Sequence, residues 1–184
     1  MKLIAFILSI LTFPLLGQFI SQPLAALDTG GGTVQLDARN SSGVLLFFTS
    51  VRCPYDDYYL SRMNDLHERF GKSVRFYFIN SSLEDTPAAI LSKVKGMSSA
   101  IPYLIDREQS FKRAVAVNRT TECVLLKPER GGFTVIYKGP VDDNPQVAAD
   151  ADRNFLRDAL EDFLAGKPVK SADARVAGCL IREP

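Results

Sequence analysis

The stretch Val44-Leu45-Leu46-Phe47-Phe48-Thr49-Ser50-Val51-Arg52-Cys53-Pro54 decides the fold, because a buried strand in it leads directly into a cysteine and a helix. Residues 44–49 form a short continuous apolar run, as expected for a strand that is covered on both faces of a sheet. Pro54 suits the first position of a helix, where no backbone N–H is needed. The next apolar residues are spaced four, three and four positions apart, which predicts a helical stripe made of Tyr59, Met63, Leu66 and Phe70.

The rest of the chain alternates between predicted strands and predicted helices. Gly71 ends the first helix, and Thr86-Pro87 is a cap followed by a first-turn proline that begins the second helix. Further strands are predicted at residues 74–79, 123–126 and 133–137, further helices at 87–95, 109–117 and 152–164, and a turn at 128–132. The order β-α-β-α-(α)-β-β-α predicts a single α/β domain.

The N-terminus is typical of a secretory signal. Lys2 supplies a positive start, and residues 3–16 are almost wholly apolar and carry no charge. We expect cleavage after Ala26, with cleavage after Gly17 and retention as a membrane anchor as the alternatives. Cleavage predicts an exported protein, periplasmic or secreted, with no stable membrane insertion afterwards. The predicted organisation is a signal peptide at 1–26, an N-terminal lead-in at 27–39, the α/β domain at 40–166 and a C-terminal tail at 167–184 that carries Cys179.

Composition excludes several classes of function. The chain has 184 residues, with 22 Lys and Arg against 21 Asp and Glu, so it lacks the basic excess of a nucleic-acid binder. Its single histidine excludes sites that need two or more histidine ligands, and we expect neither a metal nor a cofactor. Three cysteines are too few for a disulfide-dense scaffold but leave room for thiol chemistry.

The three cysteines, Cys53, Cys123 and Cys179, differ in their predicted surroundings. Cys53 opens a helix, whose N-terminus carries partial positive charge and unpaired N–H groups that stabilise a thiolate. The adjacent Arg52 favours ionisation, whereas the acidic residues at 56 and 57 oppose it. Cys123 lies inside a predicted strand and is expected to be a buried, inert thiol.

Four stretches, in this order, resemble the thioredoxin-like redoxins that are related to the AhpC/TSA group. They are residues 47–55 (FFTSVRCPY), 101–109 (IPYLIDREQ), 139–143 (GPVDD) and the C-terminal pair 166–169 (GKPV) with 178–181 (GCLI). The resemblance covers about residues 40–182. It implies a thioredoxin-like α/β fold, in which helices flank a central mixed β-sheet.

The resemblance also implies roles for individual residues. Cys53 would be the nucleophilic thiolate and Cys179 a possible resolving thiol. The supporting residues would be Ser50, Pro54, Arg119 and Thr121. Ser50, three positions before the cysteine, matches a hydroxyl that orients peroxide in peroxiredoxins, and Pro54 belongs to the Cys-Pro active site.

The chain departs from the family pattern at two places. Thioredoxins carry Cys-x-x-Cys, and Asp56 stands here in place of the second cysteine, so Cys53 has no partner thiol within its own helix turn. A partner thiol comes either from elsewhere in the chain, with Cys179 as the candidate, or from an external thiol. The loop that usually reads Thr-Pro-[DE] reads Thr120-Thr121-Glu122, and Arg119 stands where many relatives have a cysteine. That arginine either places a positive group near the thiol or is a solvated loop residue.

Two classes of function follow from these residues. The first is an exported thiol-disulfide oxidoreductase, or a related peroxidase, that acts on protein thiols and disulfides or on small peroxides and uses an external reductant. The second is a non-catalytic thioredoxin-like module that binds a partner protein or copper, with a decayed catalytic scaffold as a further alternative. Cys179 is interpreted as the resolving partner of Cys53, as half of a structural disulfide with it, or as a free thiol.

Overall fold

The computed structural model describes residues 17–21, 23–37, 39–172 and 174–184. In these ranges the chain forms one eight-stranded sheet, four α-helices and a 3-10 turn at Ala148–Asp150. The strands are β1 Phe19–Ser21, β2 Ala25–Asp28, β3 Thr33–Gln35, β4 Gly43–Thr49, β5 Val74–Asn80, β6 Tyr103–Ile105, β7 Cys123–Glu129 and β8 Gly132–Gly139. The helices are α1 Pro54–Phe70, α2 Pro87–Gly96, α3 Ser110–Ala114 and α4 Phe155–Leu164.

The sheet is mixed, with β4 near its centre. Its strand order is β1-β8-β7-β4-β5-β6-β2-β3. β4 pairs in parallel with β5 and β5 in parallel with β6, whereas β7 runs antiparallel to both β4 and β8. Every residue of β4 is buried, as the continuous apolar run predicts. The predicted α/β fold with a central mixed sheet flanked by helices is therefore confirmed.

Side chains of β4 alternate between two apolar clusters, one on each face of the sheet. Leu45 and Phe47 pack in the cluster that contains the buried faces of α1, α2 and α4. Leu46 and Phe48 pack in the other cluster, together with α3 residues and with Ile181 from the C-terminal tail. The tail is thus part of the domain core and not a loose extension.

Two predicted helices are shorter in the structure. The helix predicted at 109–117 is reduced to α3, because Gln109 before it and Ala116 after it have φ values of 52° and 53°, in the left-handed region. The helix predicted at 152–164 begins at Phe155. Just before it, two hydrogen bonds join Arg153 to Asp143. The N–H of Arg153 donates to the carboxylate of Asp143 at 3.1 Å, and the N–H of Asp143 donates to the carbonyl of Arg153 at 3.2 Å.

The N-terminal strands lie within a segment predicted to be removed or irregular. β1 pairs with β8, and β2 forms a hairpin with β3. Ala26, the expected cleavage residue, is buried within β2 and pairs with Val34. Cleavage there would divide β2, whereas cleavage after Gly17 would leave every described strand intact. The apolar run at 3–16 lies outside the described residues, and within the described ranges no helix is long and apolar enough to cross a membrane.

Candidate active site

A disulfide joins Cys53 to Cys179 at the N-terminus of α1. Cys53 is the N-cap residue of the helix and Pro54 is its first residue. The two Cα atoms are 5.8 Å apart, within the range that a disulfide requires, although 126 positions separate the cysteines in sequence. The cysteine at position 53 is buried, whereas Cys179 is partly exposed.

The hydroxyl of Thr120 touches both halves of the disulfide. It donates a hydrogen bond to Sγ of Cys53 at 3.0 Å and accepts one from the backbone N–H of Cys179 at 2.9 Å. A hydroxyl at this distance can donate to a thiolate when the disulfide is reduced, and hydrogen bonds to charged groups are stronger than neutral ones. Thr120 is therefore placed to stabilise the charged form of the buried sulfur.

Two buried carboxylates fix the loop between β4 and α1. The carboxylate of Asp56 accepts a hydrogen bond from the backbone N–H of Ser50. The carboxylate of Asp85 accepts one from the backbone N–H of Val51 at 2.7 Å. Because two successive backbone donors are held in this way, the loop presents the cysteine that follows it in a defined position.

The carboxyl group of Asp56 has an unusual pKa. Burial raises its pKa from 3.8 to about 7, because the ionised form is poorly solvated there. Hydrogen bonds from Ser50 and Thr49, and the charge of Lys93 at 3.9 Å, act in the opposite direction. Asp56 lies three positions after Cys53, in the first turn of the same helix. A carboxyl group that titrates near neutral pH is therefore close in sequence to the reactive cysteine.

Positive charge reaches this loop from a second helix. Lys93 of α2 donates a hydrogen bond from Nζ to the backbone carbonyl of Ser50 at 3.1 Å and pairs with Asp57 at 3.2 Å. The N-terminus of α1 adds its own partial positive charge beside Cys53. The helix N-terminus favours a thiolate at Cys53, and Lys93 offsets the negative charge of the two acidic residues in the first helical turn, with which it pairs.

Arg119 and Thr121 contact the tail. The guanidinium of Arg119 donates to the backbone carbonyl of Gly178 at 2.8 Å. The hydroxyl of Thr121 donates to the carbonyl of Ala177 at 2.6 Å, and its backbone has a φ of 62°. The two residues proposed to support the sulfur chemistry thus position the segment that carries Cys179.

Ser50 helps to fix the loop before Cys53 through its backbone more than through its hydroxyl. Its N–H and carbonyl are held by Asp56 and Lys93, and its hydroxyl accepts a weak bond from the backbone N–H of Arg52 at 3.3 Å. A cleft of about 310 Å³ opens beside it and is lined by Ser50, Arg52, both bonded cysteines, Glu84 and Arg182. The disulfide is thus reached from solvent through a polar cleft.

Cys123 lies apart from this chemistry. It is the first residue of β7, fully buried between β4 and β8, and its thiol is free. Burial raises the pKa of the Cys123 thiol well above its usual value, and the nearby charges of Glu122 and Asp142 raise it further. A thiol in this state is a poor nucleophile at neutral pH.

Thr120 is the contact residue that the sequence interpretation missed. Thr120 matches the threonine of the family's Thr-Pro-[DE] loop, and this match could have identified it. The sequence interpretation instead assigned the supporting role to the adjacent Thr121. The structure places the hydroxyl of Thr120 on the sulfur and that of Thr121 on the tail. Among the described residues, no group of three or more His, Cys, Asp or Glu side chains could hold a metal ion.

Comparison with known families agrees with this arrangement. The model of the AhpC/TSA family matches residues 18–143. The chain belongs to the AhpC/TSA family. The predicted resemblance to thioredoxin-like redoxins is thereby confirmed, and the matched segment contains Cys53 and Thr120 but not Cys179. No curated protein matches the chain in sequence.

Several solved structures are similar over most of the chain. A hypothetical protein from Sinorhizobium meliloti 1021 is 27% identical, with a TM-score of 0.74, over 92% of this chain and 95% of that one. An uncharacterized conserved protein from Geobacillus kaustophilus is 25% identical, with a TM-score of 0.75, over 95% and 94%. A candidate thiol:disulfide interchange protein DsbE from Chlorobium tepidum is 16% identical, with a TM-score of 0.57, over 82% and 96%. The last likeness concerns the fold alone, and the fold is thioredoxin-like.

Proposed function

We propose that the protein is an exported thiol-disulfide oxidoreductase in which Cys53 is the nucleophile and Cys179 the resolving thiol. The observation that carries the proposal is the disulfide between the N-cap of α1 and the tail, next to the hydroxyl of Thr120. A helix N-terminus and a hydroxyl donor both stabilise a thiolate, and the thiolate is the attacking species in disulfide exchange.

The proposed reaction is a two-step exchange. In the reduced protein, the Cys53 thiolate attacks one sulfur of a client disulfide, forms a mixed disulfide and releases the other client sulfur as a thiolate. The Cys179 thiolate then attacks Sγ of Cys53, closes the internal disulfide and releases the second client thiolate. The client gains two electrons, the protein loses two, and an external dithiol restores the reduced protein.

The surrounding residues supply charge and position for these steps. Thr120 donates to the leaving or attacking sulfur of Cys53, and the helix N-terminus stabilises the same charge. Asp56 lies in the first turn of that helix and has a pKa of about 7, so it can accept or return a proton at neutral pH. Arg119 and Thr121 hold the backbone before Cys179, which directs the resolving thiol to the site.

Export forms part of the proposal. Lys2 followed by the uncharged run at 3–16 supports a cleaved signal, and an oxidising compartment would favour the disulfide. Of the two cleavage positions, the one after Gly17 fits better, because β1 and β2 then stay in the sheet. N-terminal sequencing of the exported protein should therefore begin at Gln18, and recovery of an intact N-terminus in a membrane fraction would contradict export with cleavage.

The catalytic proposal is tested by turnover with insulin as the disulfide substrate and dithiothreitol as the reductant. The wild-type protein should accelerate reduction above dithiothreitol alone, and Cys53→Ser should abolish the acceleration. Cys179→Ser should slow turnover, and when the reduced variant is mixed with insulin without dithiothreitol it should leave a mixed disulfide on Cys53 that mass spectrometry detects. Cys123→Ala is the matched control and should keep turnover, because its thiol lies outside the site.

Two outcomes would redirect the proposal. If wild-type protein and Cys53→Ser reduce insulin equally slowly, the protein is not an oxidoreductase of this type. If hydrogen peroxide is consumed and insulin is not, the substrate is a peroxide. The first step would then form a sulfenic acid on Cys53, and Cys179 would condense with it to release water.

A further inference from the structure

The end of the chain lies in a defined groove beside the disulfide. We call this surface the tail groove and define it by residues 118–121 together with Gln109 and Lys112. Residues 178–183 run along it, with a bend at Gly178 and an isolated antiparallel bridge between Leu180 and Arg119. Apart from the disulfide, the tail is held by contacts that any extended polypeptide of suitable sequence could make.

Backbone hydrogen bonds fix the register of the tail. The N–H of Thr120 donates to the carbonyl of Cys179 at 2.9 Å, and the N–H of Ile181 donates to the carbonyl of Asn118 at 2.9 Å. The side chain of Gln109 donates to the carbonyl of Arg182 at 2.7 Å. These contacts recognise an extended backbone and carry no sequence information.

Position-specific contacts begin at the residue before the cysteine. Gly178 lies so close to Thr120 that a Cβ atom there would collide with the threonine backbone carbonyl. It would also lie 2.9 Å from Oγ1 of Thr121. Because backbone atoms cannot move aside cheaply, the groove disfavours every residue larger than glycine at this position.

Two further positions after the cysteine are selective. Ile181 is 3% exposed and packs in the apolar cluster on the α3 face, whereas Leu180 between it and the cysteine is 63% exposed. Glu183 places its carboxylate 2.9 Å from Nζ of Lys112, a side chain that is itself only 2% exposed. The groove therefore favours an aliphatic residue two positions after the cysteine and an acidic residue four positions after it.

The proposed reaction brings a second sulfur to the place that Cys179 occupies. In a mixed disulfide the client sulfur is bonded to Sγ of Cys53, so the tail cannot remain docked with its own sulfur there. The client chain then continues from a sulfur atom that takes the place of the Cys179 sulfur, next to the tail groove from which the tail has been displaced. Re-docking of the tail during resolution exchanges one extended strand for another and releases the client.

We propose, resting on the proposed oxidoreductase function, that the tail groove is the client-recognition groove and selects an extended segment of the form Gly-Cys-x-aliphatic-x-acidic. The tail is an internal copy of this segment. The client class is thus a polypeptide disulfide in an exposed extended segment with a glycine before the cysteine, and not a small thiol such as glutathione.

The test uses the full-length Cys179→Ser variant, whose Cys53 forms a mixed disulfide that cannot be resolved. Peptides Ala-Gly-Cys-Leu-Ile-Arg-Glu and single-residue variants are supplied as mixed disulfides with thionitrobenzoate. Attack of Cys53 on the peptide sulfur releases thionitrobenzoate and joins the peptide to the protein. Two peptides compete in one tube, and mass spectrometry gives the ratio of adducts, which does not depend on the protein concentration.

The parent peptide should exceed its Ile→Ala variant at least about tenfold, because the groove buries the isoleucine side chain almost completely. It should also exceed the Gly→Ala and Glu→Lys variants severalfold. Adding Lys112→Glu to the protein should reverse the preference between the acidic peptide and the lysine peptide. If that variant fails to fold, the ratios on Cys179→Ser alone still decide the matter.

The outcomes separate this inference from the function on which it rests. Equal adduct ratios for all peptides would overturn the recognition groove while leaving a reactive Cys53. If neither the peptides nor dithiobis-nitrobenzoate, the small disulfide used as a reference, formed an adduct on Cys53, the proposed function would instead be contradicted. The Cys53→Ser, Cys179→Ser double variant is the control for labelling of Cys123.

Discussion

Replacing Asp56 by asparagine should change how the stability of the protein depends on pH. In the wild-type protein, burial raises the pKa of this carboxyl from 3.8 to about 7. The folded state therefore holds a proton that the unfolded state releases over the interval between these values. The contribution of Asp56 to the free energy of unfolding is fully present below about pH 4 and is lost as the pH rises through 7. A carboxyl group whose pKa is lowered on folding shows the opposite pH dependence.

The magnitude follows from the two pKa values. For a folded pKa of about 7 and an unfolded pKa of 3.8, the wild-type protein should lose about 2–3 kcal/mol of unfolding free energy between pH 5 and pH 8. An asparagine side chain cannot ionise, so the Asp56→Asn variant should lack this decrease. It keeps an acceptor for the N–H of Ser50 and the hydroxyl of Thr49, which limits the effect to the charge.

The assay is urea denaturation of the oxidised protein at pH 5, 6, 7 and 8, with the wild-type and variant proteins measured in parallel. All other titrating groups are shared, so the difference between the two curves isolates Asp56. The variant should gain on the wild-type protein as the pH rises. The burial argument would be refuted if the free energy of unfolding had the same pH dependence in both proteins, or if the variant became less stable relative to the wild-type protein above pH 7. Asp57→Asn, at an exposed neighbouring position, is the matched control.

Three further outcomes can be measured on the same preparations. Thr120→Val removes the hydroxyl donor to Cys53 and should raise the pKa of that thiol, so alkylation of the reduced protein at pH 7 should slow severalfold; unchanged rates would contradict the contact. Cys123 should resist iodoacetamide in the folded protein and react only after unfolding, because burial raises its pKa. Asp142→Ala leaves the buried Arg62 without the carboxylate that pairs with it at 2.7 Å. The variant should therefore lose about 3–5 kcal/mol of unfolding free energy in urea titrations. A loss below about 1 kcal/mol would show that the pair is well solvated.

The core of the fold was predictable because its signals are local. β4 is a continuous apolar run, and α1 has both a proline at its start and an apolar stripe along one side. Strands β1 to β3 gave no such signal, since each has three or four residues with mostly exposed side chains. The pairings that join β1 and β2 to the rest of the sheet are remote in sequence, as when Phe19 pairs with Thr134 and Leu27 with Ile105, so local pattern contains no trace of them.

The site was predictable in its sulfur atoms and less so in their neighbours. Cys53 and Cys179 stood out through helix position and family resemblance, and the structure joins them. The hydroxyl of Thr120 and the ammonium of Lys112 reach the tail across 59 and 71 positions, and only the folded chain brings them together. Asp56 is recognisable as an acidic neighbour of the cysteine, but its raised pKa depends on burial that periodicity alone does not reveal.

The proposed role of the sulfur pair is tested most directly by the reduction potential of the Cys53–Cys179 disulfide. The full-length protein is equilibrated with dithiothreitol and glutathione buffers of known potential, quenched by alkylation and quantified by mass spectrometry. A catalytic pair should equilibrate between about −120 and −270 mV, the range of thiol-disulfide oxidoreductases. A potential below about −300 mV, together with unchanged insulin reduction in Cys53→Ser, would identify a structural disulfide and contradict the account.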